Sequence, residues 1–434
     1  MHDGGGGLPR QRGSGEDPLV LIEYNAHSLN GHWADGVATL ARAAADCGIP
    51  VHVVAVGGLN EGLQAALEEK SIVLSIKPLA SDLRPRMYLV AAQLLDHGFG
   101  WAHGHSPQAR WPYQVLLAAR CFREAASLCL AYDRHAGCRK ARTVVLTASE
   151  TLGGTTVILA GVPHVRVVHE VYSWESPVMR AVEHLARRSR RRVVFVCPTK
   201  AVALQFRLRY PDARVAVQPF AVLRPDLRLQ EDERKAARLR FGFPPSRIVG
   251  CLIGGWWRAK DIGTVERAMA GLTVAIDLII AGSPLDQATV SRIKEVMPGK
   301  LLVIPKPLSE SRLREVYAAC NFSLVTRFSD ERKESGLIMD AARYGVPLVS
   351  SAHDPELVET LRAERWVRWF PPGDHEALAG VLNGLASSPL PRPDHRAGGR
   401  LGMLDAEEQV SRFTALARAA WQGENPDPNL PWLH

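Results

Sequence analysis

No stretch of this chain is long and apolar enough to suggest a membrane span, because no hydrophobic run approaches about 18 residues. The first 18 residues are rich in glycine and charge. Neither a secretory signal nor an ordered element is expected there, and residues 1–18 read as a disordered tail. Cysteine is scarce and scattered. Its seven positions (Cys47, Cys121, Cys129, Cys138, Cys197, Cys251 and Cys320) include no CxxC pair, so neither a disulfide framework nor a structural zinc site is indicated. A cytoplasmic compartment is therefore expected. Also missing are the G-x-G-x-x-G fingerprint of dinucleotide sites and the G-x4-G-K-[ST] loop of ATPases, which argues against both classes.

What is present describes a large globular protein. Apolar residues make up 46% of the chain, and its 36 glycines and 29 prolines follow no period, which excludes a fibrous or wholly disordered protein. A length of 434 residues exceeds one ordinary core, so two domains of about 200 residues are expected. The formal net charge of +8 permits an anionic partner, although nucleic acid is not expected. The densest cluster, Arg187-Arg188-Ser189-Arg190-Arg191-Arg192, closes a predicted helix. Cations are favoured at that end by the helix dipole, so a solvated helix terminus stands beside contact with an anionic acceptor or lipid headgroups.

Short β-branched runs alternate with helical spacings along most of the chain. Strands are predicted at 19–22, 51–56, 72–76, 143–147, 165–168 and 193–197, with helices at 34–47, 85–95 and 113–132. The rhythm breaks over 221–245, around a charged helix at 229–240, and restarts with strands at 248–253, 275–281, 301–304, 322–325 and 347–350. Asp374 caps a predicted helix that runs to 385, residues 387–400 read as a loop, and a last helix covers 405–421. This pattern is α/β, with two doubly wound Rossmann-like domains facing across a cleft. Boundaries are placed at 19–226, 227–404 and 405–434. Ligands in such sheets bind at the carboxyl ends of strands, where Gly57-Gly58, Gly254-Gly255 and Gly282 lie.

The richest segment runs from Arg332 to Ser350. Ser335-Gly336 opens a helix there, so unpaired backbone N–H groups and the positive end of the dipole make a ready phosphate site. Asp340, four residues past Gly336, lies on the same face about 6 Å along the axis, within reach of a ribose. An ordinary surface αβ unit is the plain alternative. Gly254-Gly255-Trp256-Trp257-Arg258-Ala259-Lys260-Asp261 follows a strand directly. Its glycines allow close backbone approach, and Arg258 and Lys260 bring cations able to stabilise a departing diphosphate. Ordinary solvated charges are again the alternative. His169 follows a strand, where it faces the cleft mouth or serves as a satisfied structural histidine. His103 and His105 are spaced poorly for a metal but suit a cleft wall. Gly31 and His32 fall in the first βα turn and can meet donor or acceptor. Asp330, Glu331 and Glu334 precede the Ser335 helix, where carboxylates cap a helix or bind sugar hydroxyls.

With these residues in hand, positions 19–421 resemble a GT-B glycosyltransferase of the retaining family-4 type. The likeness is strongest in 254–261, in 308–321, in 335–350 and in Phe370-Pro371-Pro372-Gly373-Asp374. It implies that the C-terminal domain grips a nucleotide-diphosphate sugar (UDP-, GDP- or dTDP-linked), that the N-terminal domain holds most of the acceptor site, and that the last helix packs back on the first domain. Lys260 matches the lysine on the diphosphate, Ser335 and Gly336 the helix start beneath the phosphates, and His169 the histidine near the reacting sugar. Asp340 stands where the family usually has a glutamate on the ribose. The family arginine five residues before the lysine falls at Gly255, with Arg258 as the candidate substitute. The earlier glutamate of the usual pair falls at Arg332, between Glu331 and Glu334.

The implied catalytic set is thus His169, Arg258 and Lys260. Gly254, Gly255, Glu334, Ser335, Gly336, Leu337 and Asp340 are the donor contacts, and Gly31, His32, His103 and His105 the acceptor or sugar contacts. No metal or other cofactor is expected. The acceptor is a small natural product, a cyclitol or an envelope glycan, and composition fits a high-G+C bacterial source. Membrane association is at most peripheral, and a monomer or homodimer is expected. Two other readings stand beside this one. One is a nucleotide-sugar epimerase or sugar-phosphate synthase on the same architecture, and the other a non-catalytic protein that binds a nucleotide sugar or a partner.

Overall fold

The computed structural model describes residues 17–24, 33–56, 58–59, 61–105, 110–135, 141–146, 163–169, 171, 192–256, 259–329, 331 and 334–424. Two all-parallel sheets organise them. The first contains β1 (Leu19–Ile22), β2 (Val51–Val54), β3 (Val73–Ser75), β4 (Arg142–Val145), β5 (His164–Val167), β6 (Val193–Cys197) and β7 (Arg214–Val217), in the order β3-β2-β1-β4-β5-β6-β7. The second contains β8 (Ile248–Ile253), β9 (Ile276–Ala281), β10 (Leu301–Ile304), β11 (Phe322–Val325), β12 (Leu348–Ser351) and β13 (Val367–Phe370), in the order β10-β9-β8-β11-β12-β13. Each sheet therefore reverses direction beside its own first strand, between β1 and β4 and between β8 and β11. That reversal opens a crevice at the carboxyl ends of the two strands, which is where such sheets hold ligands. The architecture is that of two Rossmann-like domains facing across a cleft, the GT-B arrangement.

The central strands are buried because both faces of the sheet are covered. β1, β2, β5 and β6 are buried along their whole length, as expected where helices flank a parallel sheet. One core of the first sheet includes Val410, Phe413, Leu416, Ala417 and Ala420 from the last helix, Ala406–Gln422, which packs beside the helix Trp33–Asp46. Asp405 caps that last helix by accepting the Glu408 amide at 2.8 Å. Asp405→Ala is expected to cost about 1 kcal/mol, seen as a drop of about 2–4 °C in Tm. An unchanged Tm would show that the apolar face alone holds the helix.

The chain passes between the sheets at two neighbouring places. Val222 and Leu404 form a parallel bridge, and the Leu223 amide donates to the Leu404 carbonyl at 2.7 Å. The Gln409 amide group donates to the Phe220 carbonyl at 3.3 Å, fastening the outgoing segment to the returning helix.

The structure departs from the expected elements at several points. β7 and β13 were not anticipated, since both are four-residue edge strands carrying arginine, and half-exposed edges lack a continuous apolar run. The helices expected at 85–95 and 113–132 extend to Leu83–His105 and Arg110–Arg134, because they pack closely against each other where local spacing is weak. Pro85 is tolerated in the first turn, where the N–H it lacks would have no acceptor within the helix. The loop expected at 387–400 ends in a helical turn, Ala397–Arg400. The tail at 1–16, the arginine cluster at 187–191 and residues 425–434 lie outside the described residues.

Candidate active site

Backbone geometry at the end of β8 sets the site. Gly254 has φ +87°, and a Cβ there would sit 3.0 Å from Lys260 Nζ. A Cβ on Gly255 would lie 2.4 Å from the Ser283 carbonyl oxygen, and one on Gly282 (φ +139°) would lie 2.5 Å from the Gly254 carbonyl carbon. These three positions therefore require glycine. Without side chains, the loops after β8 and β9 stack backbone on backbone, with the Gly254 amide donating to the Ala281 carbonyl at 2.7 Å.

Lys260 curls back over that strand end. Its ammonium donates to the carbonyls of Ile253 at 2.5 Å and Gly254 at 2.9 Å. Two neutral carbonyls replace water but bring no counter-charge. Burial, and then the nearby Arg327, bring its pKa down to about 7. The residue as a whole is partly buried, with its ammonium held against the strand end by those two carbonyls. Asp261 fixes the loop behind it, capping the helix Ile262–Ala270 by accepting the Thr264 amide at 3.1 Å and its hydroxyl at 2.6 Å.

Arg327 lies across the switch point, two residues beyond β11. Its backbone forms an antiparallel bridge with Lys260, and the Asp261 amide donates to the Thr326 carbonyl at 3.3 Å. The Arg327 amide donates to Ser351 Oγ at 2.9 Å, while its guanidinium reaches Ser335 Oγ at 3.5 Å. His353, beside Ser351, is buried, and burial followed by Arg327 lowers its pKa below the usual histidine value. Ser335 itself is buried and precedes the helix Gly336–Tyr344. The first amides of that helix, from Gly336 and Leu337, have no carbonyl of their own helix to pair with. Lys260, Arg327 and the Ser335 helix start thus meet at the β8/β11 crevice.

Glu334 makes a different contact. Its carboxylate accepts the Phe220 amide at 3.1 Å and the Ala221 amide at 3.3 Å, across the junction between the sheets. Burial of that carboxylate pushes its pKa up to about 7, outweighing the amides and Arg343, which favour the charged form. Asp340 is buried and ion-paired with Arg343, whose guanidinium also donates to the Val222 carbonyl at 3.2 Å. A ribose at Asp340 would compete with that guanidinium. His169 follows β5, with Nε2 3.2 Å from the Leu146 carbonyl and its ring edge-on to Phe220 at 4.6 Å. Phe220 therefore touches His169 on one side and, through its amide, Glu334 on the other.

Sequence reasoning missed Arg327, Ser351 and His353. A cation placed just after an apolar strand, in Leu324-Val325-Thr326-Arg327, was the available signal for the first. Gly31, His32, Arg258, Asp330 and Arg332 lie outside the described residues, and His103 and His105 fall in the closing turn of the helix Leu83–His105. Among the described residues, no group of three or more His, Cys, Asp or Glu could hold a metal ion, and no helix is long and apolar enough to cross a membrane.

The two-domain α/β class defined by this fold and crevice recurs among solved structures. A glycosyltransferase from Rickettsia africae ESF-5 superimposes with a TM-score of 0.58 at 11% identity, covering 96% of each chain. Anabaena Alr3699/HepE, solved with UDP, gives 0.54 at 15% identity over 94% of this chain and 98% of its own. An α,α-trehalose-phosphate synthase (UDP-forming) from Burkholderia vietnamiensis gives 0.55 at 15% identity over 95% and 100%. At these identities the likeness is one of fold. No protein-family profile and no curated protein sequence matches the chain.

Proposed function

We propose that this protein is a glycosyltransferase that moves a sugar from a nucleoside-diphosphate sugar to a hydroxyl acceptor. The carrying observation is the Lys260 ammonium, enclosed at the β8/β11 switch point beside the Ser335 helix start without a carboxylate partner among its described hydrogen bonds. Breaking the bond between sugar C1 and the diphosphate places negative charge on the leaving phosphate. Lys260 and the amides of Gly336 and Leu337 would meet that charge. In this reading the residues before the Phe220 junction hold the acceptor, with His169 nearest the reacting sugar, and the positive charge comes from the chain rather than from a metal ion. The resemblance to retaining enzymes supports attack from the leaving-group face. A small natural product, cyclitol or envelope glycan is the acceptor class, and a cytoplasmic monomer or homodimer with at most peripheral membrane contact fits the composition.

Two experiments test the reading. The first incubates the protein and cell extracts with UDP-, GDP- and dTDP-sugars and identifies products by mass spectrometry. A glycosylated product supports transfer, free epimerised sugar supports the epimerase alternative, and no turnover with retained binding supports a non-catalytic protein. The second follows protons. In the free protein Lys260 loses its charge as pH rises through about 7, whereas a bound diphosphate restores it. UDP binding at pH 8 is expected to take up nearly one proton, falling towards zero below about pH 6. Calorimetry in buffers of different ionisation enthalpy measures this directly. Binding with zero uptake at pH 8 would place the diphosphate away from Lys260.

A further inference from the structure

We infer that Arg327 is the second cation of the diphosphate site, supplying from the β11 strand end the charge that Gly255 cannot supply from the β8 loop. This assignment rests on the nucleotide-sugar reading above. Position 255 admits no side chain at all, because a Cβ there would lie 2.4 Å from the Ser283 carbonyl oxygen and 2.9 Å from Pro284 Cδ. An arginine at that point of the loop is therefore excluded by the backbone packing itself. On the other side of the switch point, Arg327 is bridged through its backbone to Lys260. Its amide is anchored on Ser351 Oγ at 2.9 Å, and its guanidinium reaches Ser335 Oγ at 3.5 Å. One residue thus spans from the lysine to the helix start, the two groups proposed to hold the phosphates. Its charge is also felt there, since Arg327 depresses the pKa of both Lys260 and His353.

The like charges of Lys260 and Arg327 disfavour each other, adding to burial in lowering the lysine pKa. An anion bridging Lys260 and Arg327 offsets that repulsion, and the two phosphoryl groups of a diphosphate can meet both cations where a single phosphate is too short to do so equally well. Guanidinium geometry suits two phosphoryl oxygens at once, whereas an ammonium acts as a point charge.

Calorimetric titration of the full-length protein with UDP, GDP, dTDP and the corresponding monophosphates tests the assignment. Arg327→Ala is expected to weaken the preferred nucleoside diphosphate about tenfold and the monophosphate much less, with Arg327→Lys recovering part of the loss. Proton uptake on diphosphate binding at pH 8 should also fall in Arg327→Ala, because Lys260 then keeps its proton without the neighbouring charge. Uptake follows from the field of Arg327 on Lys260 alone, so the diphosphate-over-monophosphate preference is the readout that a merely structural role would not move. Equal diphosphate affinity in Arg327→Ala and the wild type overturns the assignment whatever the uptake, while leaving the donor site standing. Failure of the wild type to bind any of the three diphosphates removes the nucleotide-sugar reading, and Arg327's role with it. Should Arg327→Ala not fold, Arg327→Gln and Arg327→Lys carry the same comparison, with a charge-dependent difference between them as the supporting result and none as the refuting one.

Discussion

Lys260→Ala is expected to lower kcat/KM for sugar transfer at least about tenfold, some 1.4 kcal/mol of transition-state stabilisation. The loss approaches the hundredfold that typically follows removal of one preorganised donor from a developing oxyanion. The amine is already held at the strand end by the Ile253 and Gly254 carbonyls, so little movement is required once a bound diphosphate has restored its charge. The substitution leaves the surrounding loop intact. That loop is fixed by the backbone bridge to Arg327 and by the Asp261 cap, neither of which uses the lysine side chain. A folded variant with weakened catalysis is therefore the expected outcome, and an unchanged kcat/KM would remove Lys260 from the reaction. Lys260→Arg is not expected to be equivalent. A guanidinium is larger and stays charged at all relevant pH, so the proton uptake described above should vanish even if binding persists.

Gly282→Ala should produce the largest loss of stability among changes at the site. The alanine must adopt φ +139°, and its methyl carbon would lie 2.5 Å from the Gly254 carbonyl carbon and 2.9 Å from its oxygen. Backbone cannot yield as a flexible side chain does, so the strand ends of β8 and β9 must separate. A cost of about 3 kcal/mol or more follows from combining backbone strain with overpacking. Thermal unfolding should show a fall of several degrees, together with loss of diphosphate binding, because the displaced segment is the one that carries Lys260. Gly373→Ala is the matched control. It has φ +80°, but nothing lies within 4 Å of the added carbon, so only the conformational cost of about 1 kcal/mol applies. Equal losses in the two variants would show that backbone conformation, rather than the close approach of the two loops, decides the cost.

Much of the fold was legible because it is written locally. β8, β10 and β11 occupy the predicted residues, since each is a short, mainly apolar run, broken only by Gly250 and Ser323. The helix His375–Gly384 begins after Asp374, whose side chain accepts the Ala377 amide at 2.8 Å, as its capping pattern indicates. The edge strands Arg214–Val217 and Val367–Phe370 lacked such a signature. At the site, the glycines of 254–255 read as room for a ligand, whereas the space beside Gly255 is filled by Ser283 and Pro284. Arg327 was hidden because its importance comes from a bridge to a residue 67 positions earlier, a pairing fixed by strand order rather than by spacing. Glu334 was legible as an acid before a helix. Its contact with the Phe220 and Ala221 amides, across more than 110 residues, was not. Asp340 read as within reach of a ribose from its helical position, but its ion pair with Arg343 one turn on was not legible from that position.

The paired passages of the chain between the sheets have a mechanical meaning. A single tether permits rotation about several axes, but two tethers joined at Val222 and Leu404 act as a stitched spine. Nodding about that spine remains open to the two halves, while swivelling is resisted. Glu334 grips the spine one residue before the Ser335 helix start, so any bending at Phe220 and Ala221 is transmitted straight to the proposed phosphate cradle.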